Sequence, residues 1–298
     1  MTMGGSLGGR EVLAGLVLSG ALLYAGQAAA DYSPNCQRHV PPGNAPRPPQ
    51  PLQALIIGNE AYKKRPALQT PASDADSIGA ALAAIGFEVH VCKNLNSSEM
   101  IQAIFEYKNH LSPNAISLFY YAGHGAISSN RSVLFGVENN PAVDPRSQIT
   151  VDLENHVVFP LEPSQGFQDT NEPSPVTLKA SLFIIDACRT SSRGDTPQGG
   201  GDVMNPVQAP MGSYIVYSTA PSRPAWDAYT ESEPGPGLDP KRHSPFAAKL
   251  LMELRQLKSG TDVDTLFRHV RTKVKEVTRD QQIPWTSHSL VGEVLLKS

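Results

Sequence analysis

The sequence predicts an α/β protein built on a mostly parallel six-stranded sheet with helices on both faces. Short, wholly apolar runs recur along the chain, as strands buried on both sides require. Segments of helical periodicity lie between them and carry recognisable start and stop residues. Strands that alternate with helices imply right-handed crossovers and therefore a doubly wound sheet.

Residues 31–51 come before the first strand and are rich in proline (Pro41-Pro42, Pro46, Pro48-Pro49), which reads as a stiff extended linker. Regular structure begins with Gln53-Ala54-Leu55-Ile56-Ile57, stopped by Gly58-Asn59. Ser73-Asp74-Ala75-Asp76 then reads as a capping box ahead of Ile78, Leu82 and Ile85, with Gly86 as the stop. Phe87 to Val91 is the second strand. A second helix follows Ser97, with Ile101, Ile104, Phe105, Lys108 and Leu111 at helical spacing. The third strand, Ile116 to Tyr121, ends at Gly123-His124-Gly125, and residues 126–178 form an irregular insertion. The fourth strand, Ser181 to Ile185, ends at Asp186-Ala187-Cys188, and the fifth is Ser213 to Ser218. Ser244 caps a helix with Pro245 at its first position and Phe246, Leu250, Leu254 and Leu257 on one face. Another helix starts near Asp262, with Val263, Leu266, Val270, Val274 and Val277. The run Leu290 to Leu296 supplies the sixth strand. No internal repeat interrupts this pattern, so residues 52–298 read as one domain.

Composition narrows the function classes. A formal net charge of −3 without clustered Lys and Arg argues against nucleic-acid binding. Residues 1–30 read as a signal peptide: Arg10, an apolar run from Val12 to Ala25, then Ala28-Ala29-Ala30 with cleavage before Asp31. An exported protein is expected, periplasmic or secreted, with membrane contact only if the signal stays as an uncleaved anchor. The three cysteines Cys36, Cys92 and Cys188 leave at least one thiol unpaired, and a Cys36–Cys92 bridge is allowed but not required. No Cys-x-x-Cys or His-Glu-x-x-His pattern points to a metal.

In doubly wound sheets ligands gather at the carboxyl ends of the strands. That rule selects the ends of strands three and four, and hence His124 and Cys188, 64 positions apart in the chain. A thiol attacks as thiolate and needs a base, and an imidazole has suitable proton affinity near neutral pH. The glycines beside His124 permit close approach of a substrate. The backbone amides of Gly125 and Cys188 are candidates to hold an oxyanion. Taken alone, the same residues also fit a core thiol and a turn histidine.

Tyr120-Tyr121-Ala122-Gly123-His124-Gly125 together with Phe183-Ile184-Ile185-Asp186-Ala187-Cys188-Arg189 resembles the catalytic signature of caspase-like peptidases. The bacterial metacaspase and paracaspase-like group is the nearest variety. The resemblance covers nearly all of residues 52–298, including Ile56 to Tyr62, Ser73 to Asp76, Tyr217 to Pro221, Ser244-Pro245-Phe246 and Gln282 to Trp285. It implies a caspase-haemoglobinase-like three-layer sandwich, a His124/Cys188 dyad and a peptide or protein substrate. A monomer or weak dimer is expected.

The resemblance also implies an acidic pocket for the residue before the cleaved bond (P1). Asp186 stands where caspases carry glutamine, and Asp74 matches a pocket acid of metacaspases. Asp227 follows Trp226, where caspases place a basic residue after a tryptophan; Trp226 is a candidate substrate contact. Carboxylates in such a pocket favour Arg or Lys and repel Asp. Asp74 also fits a helix cap and Asp227 a solvated loop charge. Residues 189–201 resemble the region cut during maturation of caspase relatives, and Arg189, Arg193 and Lys241-Arg242 are basic sites for self-processing. No cofactor is expected. Calcium, which many metacaspases need, has no EF-hand-like spacing behind it. Other readings are a catalytically silent interaction module and an Arg/Lys-specific peptidase of the gingipain or clostripain type. The absence of a Gly-x-Ser-x-Gly elbow disfavours an α/β-hydrolase.

Overall fold

The structure, a computed structural model, describes residues 1, 35–46, 48–140, 142, 148–163, 177–187, 207–221, 223–228 and 242–297. Among the described residues the strands are β1 (Cys36–His39), β2 (Leu52–Gly58), β3 (Glu88–Lys93), β4 (Ile116–Ala122), β5 (Gly125–Ser128), β6 (Arg131–Leu134), β7 (Val151–Asp152), β8 (Ala180–Asp186), β9 (Ser213–Tyr217) and β10 (Trp285–His288). The helices are α1 (Pro71–Ala84), α2 (Ser97–Asn109), α3 (Pro245–Arg255) and α4 (Val263–Val277), with a π-helical turn over Leu153–Val158.

The main sheet has seven strands in the order β1-β3-β2-β4-β8-β9-β10. Its inner five strands are parallel and both edges are antiparallel, so the expected α/β sandwich is present on a mixed sheet with one more strand than predicted. The pleat sends alternate side chains to opposite faces. Ala54, Ile56, Leu118 and Tyr120 pack with α1, α3 and α4, whereas Leu55, Ile57, Phe119 and Tyr121 pack with α2 and the π-helical turn.

Several local expectations are corrected. Cys36–His39, expected within a linker, pairs with β3, with Cys36 opposite Cys92 and a disulfide joining the two. The final edge strand is Trp285–His288; of the predicted strand Leu290–Leu296, only Leu295 makes an isolated bridge, to Asp262. The insertion contains β5, β6 and β7, which form a second small sheet. Ser129 and Asn130, at φ 51° and 64°, close its hairpin as a two-residue turn does. Helix α1 begins at Pro71 with Thr70 as N-cap, which places Ser73-Asp74-Ala75-Asp76 inside its first turns rather than at a cap. On α2 the buried face is Met100, Ala103, Ile104 and Tyr107, and Phe105 is exposed.

The disulfide holds an edge strand to the sheet across 56 positions of chain. Reduction, or Cys36→Ser, is expected to lower stability by about 2–4 kcal/mol in denaturant melts, with loss of β1 pairing. An unchanged midpoint would mean that β1 docks without the bridge.

Candidate active site

Strands β4 and β8 pair in parallel register with Ala122 opposite Asp186, and the Gly123 N–H donates to the Asp186 carbonyl at 3.2 Å. This pairing brings the two predicted tips to one level. A Cβ on Gly123 would lie 2.6 Å from the hydroxyls of both Tyr121 and Tyr62, so only glycine fits. Those hydroxyls then hold the next residue. The His124 N–H donates to Tyr62 Oη at 2.8 Å, Tyr121 Oη donates to the His124 carbonyl at 2.8 Å, and the Tyr62 ring lies 4.5 Å from the imidazole.

The imidazole is oriented from the loop before α1. His124 Nε2 is 2.9 Å from the Pro66 carbonyl. A carbonyl only accepts, so Nε2 carries the proton and Nδ1 is the basic nitrogen. The neighbouring Arg65 guanidinium stacks 3.8 Å over the Phe135 ring and anchors that loop. Burial chiefly, then the Arg65 charge, hold the His124 pKa below the usual imidazole value, against the Pro66 hydrogen bond and Asp227. Cys188 lies outside the described residues, as do Arg189, Arg193 and Lys241. Its predecessor Ala187 lines the same cavity as His124.

That cavity is walled by Asp74, Asp186, Asp227 and Trp226 together with Thr70 and Ser244. Asp74 is fully buried on the first turns of α1; burial and then the Asp186 charge push its pKa well up. Asp186 ends β8 and accepts from Ser244 Oγ at 2.7 Å, and burial raises its pKa to about 6. Asp227 accepts from the Gln69 N–H at 2.7 Å and from Thr70 Oγ1 at 3.1 Å, which fixes its loop to the start of α1. Three carboxyl groups around one cavity are surroundings that favour an entering cationic side chain.

The model for the caspase domain matches residues 52–295. This chain belongs to the caspase-domain peptidase family. The mouse (Mus musculus) homolog of mucosa-associated lymphoid tissue lymphoma translocation protein 1 is 29% identical over 153 residues, 50% of this chain and 16% of that protein. The human (Homo sapiens) protein of that name is 28% identical over 137 residues, 46% of this chain and 15% of that protein. The chain thus spans about one sixth of the length of these curated relatives.

Four residues of this caspase domain escaped the sequence reading as site residues. Tyr62 and Pro66 hold His124 from two sides. Gln282, fully buried, accepts from the Trp226 N–H at 3.0 Å and donates to the Ser218 carbonyl at 2.9 Å, tying the Trp226 loop to the end of β9. His243 Nδ1 lies 2.7 Å from Asp74 Oδ1, within hydrogen-bond distance. Tyr62 and Gln282 lie in segments that resemble the family but had no site role attached, and Pro66 and His243 carry no local signal, because each acts through a partner remote in the chain. Among the described residues no group of three or more His, Cys, Asp or Glu is arranged to hold a metal ion, and no helix is long and apolar enough to cross a membrane.

The raised Asp186 pKa has a stability consequence with a definite sign. Between the ordinary carboxylate value of 3.8 and about 6 the folded state binds more protons than the unfolded state. Stability therefore falls as pH rises through that window. Asp186→Asn, which keeps an acceptor for Ser244, is expected to raise stability at neutral pH by about 1–3 kcal/mol, measured by urea unfolding. It should also flatten the acid-side pH dependence; a destabilised variant with the slope retained would contradict this.

Proposed function

We propose that this domain is a cysteine endopeptidase that cleaves after Arg or Lys, with Cys188 as nucleophile and His124 as general base. The observation that carries the reading is the cavity that joins Asp74, Asp186 and Asp227 to His124 and Ala187. Burial and neighbouring negative charge disfavour the charged forms of Asp74 and Asp186 when the pocket is empty, and a guanidinium or ammonium reverses that balance. An aspartate at P1 would add a like charge to the same walls.

The thiol proton of Cys188 passes to His124 Nδ1, and the thiolate attacks the scissile carbonyl. The tetrahedral oxyanion is held by the N–H groups of Gly125 and Cys188. The hydrogen bond from Phe135 N–H to the His124 carbonyl supports the first of these donors. Alternation along the β5–β6 ladder then puts Gly125, opposite Leu134, in a non-hydrogen-bonded pair, with its N–H directed away from β6. Collapse of the intermediate breaks the peptide bond, and the His124 proton goes to the departing amine. Water activated by the same imidazole then hydrolyses the thioester. Of the signal-like segment, residues 2–30 lie outside the described residues. The Cys36–Cys92 disulfide supports an exported enzyme, since such bonds persist in oxidising compartments.

Peptides ending in Arg, Lys or Asp before a fluorophore test this reading, with and without calcium. Release after Arg and Lys, absent with Asp and lost in Cys188→Ala, is the expected result. Release after Asp would overturn the acidic pocket, and silence of correctly folded protein would favour an interaction module. Tyr62→Phe, which removes the acceptor of the His124 N–H, is expected to lower kcat roughly ten- to a hundredfold. An undiminished kcat in that variant would mean that the Pro66, Tyr121 and Phe135 contacts suffice to position the imidazole.

A further inference from the structure

His243 is buried behind the wall of the acidic cavity, 6% exposed, and its Nδ1 lies 2.7 Å from Asp74 Oδ1. Burial pushes the Asp74 pKa up; a donor at Nδ1 opposes that by favouring the carboxylate, and against the ionised carboxylate Nδ1 carries a proton whether the ring is neutral or charged. The adjacent residue completes a two-point grip. Ser244 N–H reaches Asp74 Oδ2 at 3.3 Å, and Ser244 Oγ donates to Asp186 at 2.7 Å. Both acids are therefore held from residues 243 and 244, the last two before α3.

The surroundings of the pair are mostly anionic. Asp74 comes from α1, Asp186 from β8 and Asp227 from the loop after β9. From β4 the buried Tyr120 hydroxyl feels the charges of both Asp186 and Asp74. On the loop ahead of α3, Arg242 is exposed, and its backbone carbonyl accepts from Ser73 Oγ. The ring of His243 is thus the buried titratable base among these acids.

We propose that His243 is a specificity-determining residue of this pocket: its imidazole is the resident counterion of Asp74, and a basic P1 side chain takes the place of its positive charge, the proton leaving to solvent as the substrate binds. This role rests on the basic-P1 reading above. With His243 protonated, the Asp74 charge is neutralised from behind, and an entering guanidinium meets an extra like charge. With His243 neutral, the Nδ1–H still orients Asp74 but leaves its charge to the substrate. Binding of a cation and protonation of His243 oppose each other, and by linkage each weakens the other equally. Acidification therefore raises KM for a basic substrate, in addition to any effect of the carboxylates themselves.

The test compares His243→Asn, whose amide nitrogen occupies the Nδ1 position without titrating, with the wild type. KM is measured from about pH 5 to pH 8 for matched peptides with arginine or uncharged citrulline at P1. The expected result is a steeper acid-side rise of KM in the wild type than in the variant, approaching about tenfold more per pH unit, for arginine only. Equal slopes for arginine in the two proteins would overturn the role of His243 and leave the peptidase reading standing. A wild type that cleaves no arginine peptide would overturn both.

Should the variant not fold, nitrogen-15 histidine NMR of the wild type with benzamidine as the P1 mimic decides the matter. Benzamidine is expected to convert one charged ring to a neutral Nδ1–H tautomer. That tautomer separates His243 from His124, whose neutral form carries its proton on Nε2. No such conversion on saturation with benzamidine would overturn the role.

Discussion

Two carboxylates buried in one cavity, Asp74 and Asp186, are the constraint around which the rest of this site is arranged. Desolvation alone would keep such acids protonated, and their mutual repulsion acts in the same direction. The fold offsets part of that cost with donors from residues 243 and 244, just before α3. His243 faces Asp74, and Ser244 faces both acids. The positive end of α3 lies at the same place, because Ser244 is also its N-cap, accepting from the Ala247 N–H. One serine hydroxyl thus starts a helix through its lone pair and binds a pocket acid through its proton.

The sheet provides the remaining placement. Parallel pairing of β4 and β8 puts the His124 tip and the Asp186-Ala187 tip side by side, and the pleat divides consecutive tyrosines between the two layers. Tyr120 faces the acids under α1, whereas Tyr121 turns to the opposite face, where with Tyr62 and the Phe135 carbonyl it braces His124. The small sheet of β5, β6 and β7 belongs to this brace. Phe135, just past β6, returns a hydrogen bond to the His124 carbonyl and stacks with Arg65. The imidazole is therefore held by three segments, and the acidic pocket by three others, meeting at Gly123.

Most of the fold was legible because buried parallel strands and capped helices write themselves locally. The strands at Leu52–Gly58, Ile116–Ala122 and Ala180–Asp186, and the Ser244 cap, follow from patterns of a few residues. Legibility failed where a partner far along the chain decides the structure. Cys36–His39 is a strand because β3 offers an edge and Cys92 a thiol; its own sequence reads as linker. The start of α1 was misplaced because Ser73-Asp74 looks like a cap, whereas Pro71 begins the helix and the Thr70 hydroxyl is engaged by Asp227. That shift of register is what frees Asp74 to face the cavity. Resemblance to caspase-like peptidases pointed to Asp74, Asp186 and Asp227 as neighbours, which periodicity alone could not do, and the cavity contains all three. Pro66 and His243 had no comparable signal, and for Tyr62 and Gln282 the resemblance marked the segment without a site role.

The proposed reaction places a basic side chain among these acids while Cys188 attacks the bond beside it. An arginyl ketone inhibitor that alkylates thiols tests it most directly, with mass spectrometry to locate the label and a crystal structure of the adduct. The account predicts a single label on Cys188, with the guanidinium hydrogen-bonded to Asp74 and Asp186. A label elsewhere, or a guanidinium in solvent outside the cavity, would contradict it.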